Sequence, residues 1–489
     1  MLADLKSTDL SSVSHTHQNF SFHWLFDIIR IPEVAIDGSS SMASVTACCC
    51  SYPRLPSHLF KALISTFFAR CSAQPLKLRR RMRFYCSSSE MVEETCEGIS
   101  SRRAQLDSLL ERRWLLEQPS TKISKVLINS TKPSESELPE HLGQRQFNLQ
   151  GMTPGMVELG KESDGPMFYV IRDDLLHPLL GGNKLRKLDA LLPILEDCKA
   201  TDVITCGGCQ SAHTAALAFA CAERGITAHL LLRGERPSIS TGYNLLARMY
   251  GHCTYVPRSE YADRAAMFKK YGGIVGGSSS SLIWLDDLGD RPTVGPISEK
   301  KVVVVKEGAG DAIALLGLIR LIHYLSQPTV FGSSHQLHIV VDTGTGTTAV
   351  GLALGISLLR LPWKVTGVIL ADTVEGYEAH KHQLTAKFCE HHSSPPAEAL
   401  HLPLSWTERW KPRKFGRILP GEVQTCQSIA QQTGILLDPI YTLAGWETGT
   451  RLSLESYTEG EGSEIVVMLH TGGTLGLFGL AQRYPEEFE

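Results

Sequence analysis

The sequence predicts an α/β protein of two α/β domains with largely parallel sheets, and three observations predict it. Strand-like runs between Met167 and Gly473 are continuous and rich in Val and Ile, as strands buried on both faces are. Most are followed by a stretch with apolar residues at helical spacing. Polar, glycine-rich loops recur at strand-to-helix junctions, where open parallel sheets bind ligands.

In chain order, "MFYVIRDD" (Met167 to Asp174) reads as a strand and Lys184 to Leu195 as an amphipathic helix. "TDVITCG", "TAHLLLRG", "KVVVVKEG", "QLHIVVDTG", "WKVTGVILAD" and "SEIVVMLHTGG" read as further strands. Helices fill "TAALAFACAERG", "TGYNLLARMYG", "DAIALLGLIRLIHYLS" and "TAVGLALGISLLR". Gly272 to Lys300, opening on a Gly/Ser-rich stretch, and Thr373 to Gly416 break the rhythm and read as insertions or surface elaborations. Ser101 to Gly151 mixes charged helical stretches with loop, so the folded part begins near Arg103 and is complete only beyond Met152. The smaller domain is expected over approximately residues 200–330, the larger in the remainder of 101–489.

The 489 residues suffice for two or three domains. A charged fraction of 20% and a net charge of −3 give no reason to expect nucleic acid or a membrane surface as partner. No apolar run approaches the roughly 18 residues of a membrane span. Six of thirteen cysteines lie in the first hundred residues, and the rest are scattered without paired spacing, apart from Cys206-Gly-Gly-Cys209. A zinc site would need a second ligand pair, so no metal is expected and reduced thiols are. Residues 1–100 read as a disordered leader. Met42 to Ser89 holds eight Lys or Arg and no acid, the composition of an organelle transit peptide. That points to the mitochondrion, with the chloroplast as alternative. The first 41 residues carry Asp4, Asp9, Asp27, Glu33 and Asp37, so Met42 is a candidate functional start.

Three loops carry chemistry. "VVDTGTGTTAVG" joins strand to helix through Thr343, Gly344, Thr345, Gly346, Thr347 and Thr348; glycines and a helix N-terminus suit a phosphate. Gly344-x-Gly346-x-x-Ala349 with Asp372 beyond also satisfies nicotinamide-binding spacing, which stays open on this loop alone. "CGGCQSAHTAA" gathers Gln210, Ser211, His213 and Thr214 at a helix start, for a substrate carboxylate, a serine nucleophile or an ordinary cap. "LHTGGTLG" offers Thr471 to a bound ring or to a turn. A fourth stretch, "LLGGNKLRKLDALLP", sets Lys184, Arg186 and Lys187 at a helix start, where cations are disfavoured. Burial and positive surroundings would lower the pKa of Lys184, leaving neutral amine to react with an aldehyde.

Taken in order, "GGNKLRKL", "GGCQSAHT", "TGYNLL", "VVKEGAGDAIALLG", "DTGTGTTAVGLALG", "GILLDPIYT" and "LHTGGTLGLFG" resemble the ACC deaminase/D-cysteine desulfhydrase family, over roughly Gly151 to the C-terminus. The resemblance implies pyridoxal 5'-phosphate and fold type II, the tryptophan synthase β-like fold. It makes Lys184 the Schiff-base lysine and the base at Cα, places Asn183 and the Thr343 to Thr348 loop on the cofactor, and sets Thr471 at the pyridine nitrogen. Gln210, Ser211 and His213 match the segment that receives the substrate carboxylate, with Ser211 at the commonly catalytic serine. Tyr441 matches a tyrosine beside the substrate.

The implied reaction is β-elimination of D-cysteine to hydrogen sulfide, pyruvate and ammonia, by a homodimer. Thr442 stands where ACC deaminases carry a glutamate that meets the ring nitrogen. A hydroxyl partner at Thr471 would leave that nitrogen largely unprotonated and a weaker electron sink, which suits a good leaving group. Two departures, Ala212 for an expected asparagine and Phe415 for a second tyrosine, leave ACC, D-serine or L-cysteine as alternative substrates and weak catalysis as another outcome.

Overall fold

Parallel pairing dominates both sheets of the computed structural model, which describes residues 106–129, 142, 145–151, 165–277, 281–288, 300–392, 400–458 and 464–489. The leader, with Met42 to Ser89, lies outside these residues. The strands are β1 (Ile123–Asn129), β2 (Gln146–Gly151), β3 (Met167–Ile171), β4 (Asp202–Gly208), β5 (Thr227–Arg233) and β6 (His252–Val256). They continue as β7 (Ser281–Trp284), β8 (Lys301–Val304), β9 (Gln336–Thr343), β10 (Trp363–Ile369), β11 (Leu404–Glu408) and β12 (Glu464–Leu469). The helices used below are α1 (Asn183–Asp197), α2 (Ala212–Ala222), α3 (Gly242–Tyr250), α4 (Arg264–Gly276), α5 (Leu315–Leu325), α6 (Thr347–Leu359), α7 (Val374–His392), α8 (Glu422–Thr433) and α9 (Thr442–Thr458).

One sheet runs β6-β5-β4-β8-β7, all parallel. The other runs β11-β10-β9-β12-β3-β1-β2, parallel from β11 to β3 and closed by the antiparallel β3-β1-β2. In β4 and β9 the apolar run is buried from end to end, because helices cover both faces. Helix α1 turns Leu188, Leu191, Leu192 and Leu195 inward, and each buried leucine contributes ~1.5–3 kcal/mol. It packs closely on α5: a Cβ at Gly317 would meet the Arg186 carbonyl oxygen at 1.8 Å.

Three expectations are corrected. Ser281–Trp284 pairs with β8, so the 272–300 segment supplies an edge strand, and α4 runs through Gly272 and Gly273 to Gly276. The 373–416 segment holds the 19-residue helix α7 and the edge strand β11, and α7 lines the central cavity. The 101–151 region contains β1 and β2, where helix and loop were expected. Among the described residues no helix is long and apolar enough to cross a membrane.

Candidate active site

A cavity of about 1450 Å³ opens at the carboxyl ends of the parallel strands, and loops from both sheets reach it. Asn183, Lys184, Gln210, Ser211, His213, Gly344, Thr345, Tyr441 and Thr471 all line it.

Helix α1 begins in the cavity wall because Gly182 precedes it at φ +102°, a region closed to most side chains. A Cβ there would lie 2.0 Å from the Thr471 carbonyl oxygen. That close approach lets Gly182 bridge Gly472, while the Asn183 N–H donates to Thr471 O at 3.1 Å. The Asn183 amide donates to Thr348 Oγ1 at 2.9 Å, tying α1 to α6.

The three cations of the first turn have separate fates. Arg186 is fully buried and forks onto Asp173 at 2.9 and 2.7 Å. Lys187, also buried, donates to Gly308 O at 2.9 Å. Lys184 faces the cavity; burial holds its amine below the ordinary lysine range, against the pull of Asp342. Lys187 is lowered further, by burial and by Lys184.

The β4–α2 loop ends with Ser211 capping α2, its Oγ accepting from Thr214 N at 3.4 Å. Both ends of the Gln210 amide are engaged at the start of α3: it donates to Thr241 O at 3.1 Å and accepts from Tyr243 N at 3.1 Å. Gln210 therefore shapes the wall and has less to offer a ligand than Ser211. His213 is buried beneath the loop, its Nε2 2.9 Å from Thr205 Oγ1 and its Nδ1 without a hydrogen-bond partner. Burial, with Lys184 and Lys187, keeps its imidazole neutral.

The β9–α6 loop makes an anion cradle. Gly346 adopts φ +81° and turns the chain into α6, whose first-turn N–H groups have no intrahelical acceptor. Thr345 and Thr347 bring their hydroxyls within 3.0 Å of each other, and His380 of α7 lies 3.3 Å from Thr347 Oγ1. The Thr343 hydroxyl instead donates across the sheet to Val368 O at 2.6 Å, and that of Thr348 accepts from Asn183. Tyr377, stacked on Trp406, donates to the carbonyls of Thr343 and Gly344 at 2.7 and 2.9 Å and fixes the base of the cradle. Thr343→Val is accordingly expected to cost about 0.5–1.5 kcal/mol of stability. Cofactor affinity should be almost unchanged, whereas Thr345→Val should weaken it; fluorescence titration of the cofactor compares the two.

At the far side Asp438 caps the start of α9, accepting from the N–H groups of Ile440, Tyr441 and Thr442 at 2.9, 2.9 and 3.2 Å. The Thr442 hydroxyl donates to the same carboxylate at 2.9 Å and is buried away from the cavity. Tyr441 faces inward with the Phe415 ring edge-on at 5.7 Å. Burial and the carboxylates of Asp438 and Asp342 push its phenol up, so it stays protonated. Thr471 donates to both oxygens of Asp342, at 2.7 and 2.9 Å.

Sequence reasoning missed Asp342, Asp438, Tyr377 and His380. Asp342 had a signal, as the one charge in "LHIVVDT". His380 had none, lying in a stretch with a weak apolar stripe. Burial, then Lys187 and Lys306, lower the imidazole of His380 to about 4. A histidine depressed from 6.5 stabilises the fold above that pH, and the contribution is lost as pH falls through about 4. Denaturation of the cofactor-free protein at both pH values should therefore show a fall in stability on acidification, smaller in His380→Gln. The C-x-x-C cysteines are both free: Cys206 lies within β4, its thiol pushed up to about 12 by burial and Glu307, and Cys209 donates to Arg233 O at 3.3 Å. Among the described residues no cluster of His, Cys, Asp or Glu could hold a metal ion.

A half-buried amine of lowered pKa facing an anion cradle and a hydroxyl that can meet a ring is a donor set that fits pyridoxal 5'-phosphate. Fold and site together define a pyridoxal-phosphate enzyme of fold type II. A crystal structure titled as that of an ACC deaminase homologue superposes with a TM-score of 0.56 at 22% identity, over 78% of this chain and 98% of that one. No protein-family model matches the sequence. A protein of Oryza sativa subsp. japonica named "Putative D-cysteine desulfhydrase 2, mitochondrial" is 46% identical over 400 residues, 79% of this chain and 96% of its own length. The "Bifunctional D-cysteine desulfhydrase/1-aminocyclopropane-1-carboxylate deaminase, mitochondrial" of Arabidopsis thaliana is 26% identical over 64% of this chain and 74% of its own. The chain belongs to the ACC deaminase/D-cysteine desulfhydrase family.

Proposed function

We propose that the protein is a carbon–sulfur lyase that converts D-cysteine and water to hydrogen sulfide, pyruvate and ammonia. The observation that carries this reading is Lys184, a half-buried amine of lowered pKa in a cavity that also holds an anion cradle and a protonated phenol. Lys184, Asn183, the Gly344 to Thr348 backbone with the Thr345 and Thr347 hydroxyls, and Thr471 would hold pyridoxal phosphate. When bound, that group draws electron density from Cα of an attached amino acid.

Everything else falls to the chain's own residues. Ser211 and the first-turn N–H groups of α2 bind the substrate carboxylate and fix which Cα–H faces Lys184. The neutral amine of Lys184 takes the Cα proton. Tyr441, un-ionised, gives a proton to the departing sulfur. Gln210 and His213 hold the wall behind Ser211. Phe415 offers no hydroxyl beside Tyr441, so one acid serves one leaving group.

We place the protein in the mitochondrion, as the names of both plant relatives do for those proteins; Met42 to Ser89 has a transit-peptide composition. A smaller domain around β4 to β8 (about 200–330), a larger one from the remainder, and a homodimer belong to the same reading, the last tested by light scattering. Purified protein given D-cysteine should release sulfide and pyruvate in equal amounts. Turnover of ACC, D-serine or L-cysteine in preference would overturn the substrate assignment.

A further inference from the structure

Thr471 has a single hydroxyl proton, and the structure commits it. Its Oγ1 donates to Asp342 at 2.7 and 2.9 Å from the two carboxylate oxygens, and both side chains are buried where they line the cavity. A hydroxyl so engaged presents lone pairs to the cavity, and can only accept from whatever ring atom meets it. A threonine standing alone could donate to a bare pyridine nitrogen; this one cannot while Asp342 is ionised.

We propose that Asp342 is a positioning residue which, acting through Thr471, makes the site hold the cofactor's pyridine nitrogen in its protonated form. The inference rests on the cofactor reading above and deepens it. Thr471 Oγ1 accepts from the pyridinium N–H, and the negative charge two bonds further on balances the ring's positive charge. The arrangement is also a relay. Were the cofactor bound, Thr471 Oγ1 could take a proton from the ring nitrogen, which would keep the electron pair, while passing its own to Asp342, so that charge would be conserved with no other reactant.

The surroundings of Asp342 suit a carboxyl that can take either form. Lys184 faces it from α1, Asp438 and Tyr441 from the start of α9, and Thr471 from the turn after β12. Burial raises its pKa to about 7, with Thr471 and Lys184 pulling down and Asp438 pushing up. A ring cation at Thr471 would add to the downward pull. Protonation makes the ring a stronger electron sink, the opposite of what a lone hydroxyl implies.

The test reads the nitrogen itself. Holoenzyme is reconstituted with pyridoxal phosphate isotopically labelled at the ring nitrogen, and its NMR resonance is recorded at mildly alkaline pH. The unsubstituted enzyme is expected at the pyridinium position. Asp342→Asn and Thr471→Val should shift to the unprotonated position, while Thr471→Ser, which keeps the hydroxyl, should not. An unprotonated resonance in the unsubstituted holoenzyme, or a pyridinium resonance in Asp342→Asn, overturns the proposal and leaves the cofactor reading intact. Should Asp342→Asn fail to fold, the unsubstituted enzyme and the Thr471 pair still decide. If the unsubstituted protein retains no labelled cofactor, both readings fall together.

Discussion

Lys184→Ala should retain the fold and lose turnover, with kcat for sulfide release from D-cysteine falling by at least about 10²–10⁴-fold. The amine is asked to do two things, to hold the cofactor covalently and to move the Cα proton. Deleting it removes both, and also the cation that faces Asp342. Lys184→Arg should fail almost as badly, because a guanidinium stays charged at any working pH. Absorbance of the bound cofactor before and after borohydride gives an independent readout. The unsubstituted protein should carry a reduced adduct on Lys184, and Lys184→Ala none. A Lys184→Ala protein that releases sulfide at the unsubstituted rate would remove the lysine from the mechanism.

The second large effect lies in stability. Asp173→Asn should destabilise the protein by about 3–5 kcal/mol, because it removes the carboxylate onto which the buried Arg186 guanidinium forks. The loss would exceed that of an exposed pair such as Arg113–Asp197, worth about 0–1 kcal/mol. Asp173 also accepts the Gly182 N–H at its carbonyl, at 2.6 Å, so the damage falls beside Lys184. Denaturant unfolding measures the first effect, and cofactor affinity should fall with it. Replacing Asp173 and Arg186 together by apolar residues should recover part of the stability, since the buried charge goes too.

Much of this was legible in the sequence because buried parallel strands announce themselves. "DVITCGG" and "QLHIVVDT" each carry a central apolar run and are buried along nearly their whole length, and the loops after them are where the cavity lies. The elements that escaped do so for physical reasons. Helix α7 buries only Tyr377, Leu384, Thr385, Phe388, Cys389 and His392 of its 19 residues, so its periodicity is faint. Helix α4 carries Gly272 and Gly273, which are poor helix formers, and the strand after it is four residues long. For the site, residue types told which groups could act but not which were already spoken for. Gln210 and Thr343 matched the expected chemistry, yet their polar atoms are engaged with Thr241, Tyr243 and Val368. Asp342 was visible as a lone acid, and its meaning depended on Thr471, which only folding brings to it.

The bond from the Asn183 N–H to the Thr471 carbonyl has a consequence in time as well as in space. It joins the residue just before the lysine to a turn far along the chain, at Thr471. A polypeptide emerging from a ribosome, or threading through an organelle's import channel, cannot assemble this centre until the segment that carries Thr471 has followed. Contacts so distant along the chain form late. Turnover is thereby withheld from any molecule in which Thr471 has not yet come to Asn183.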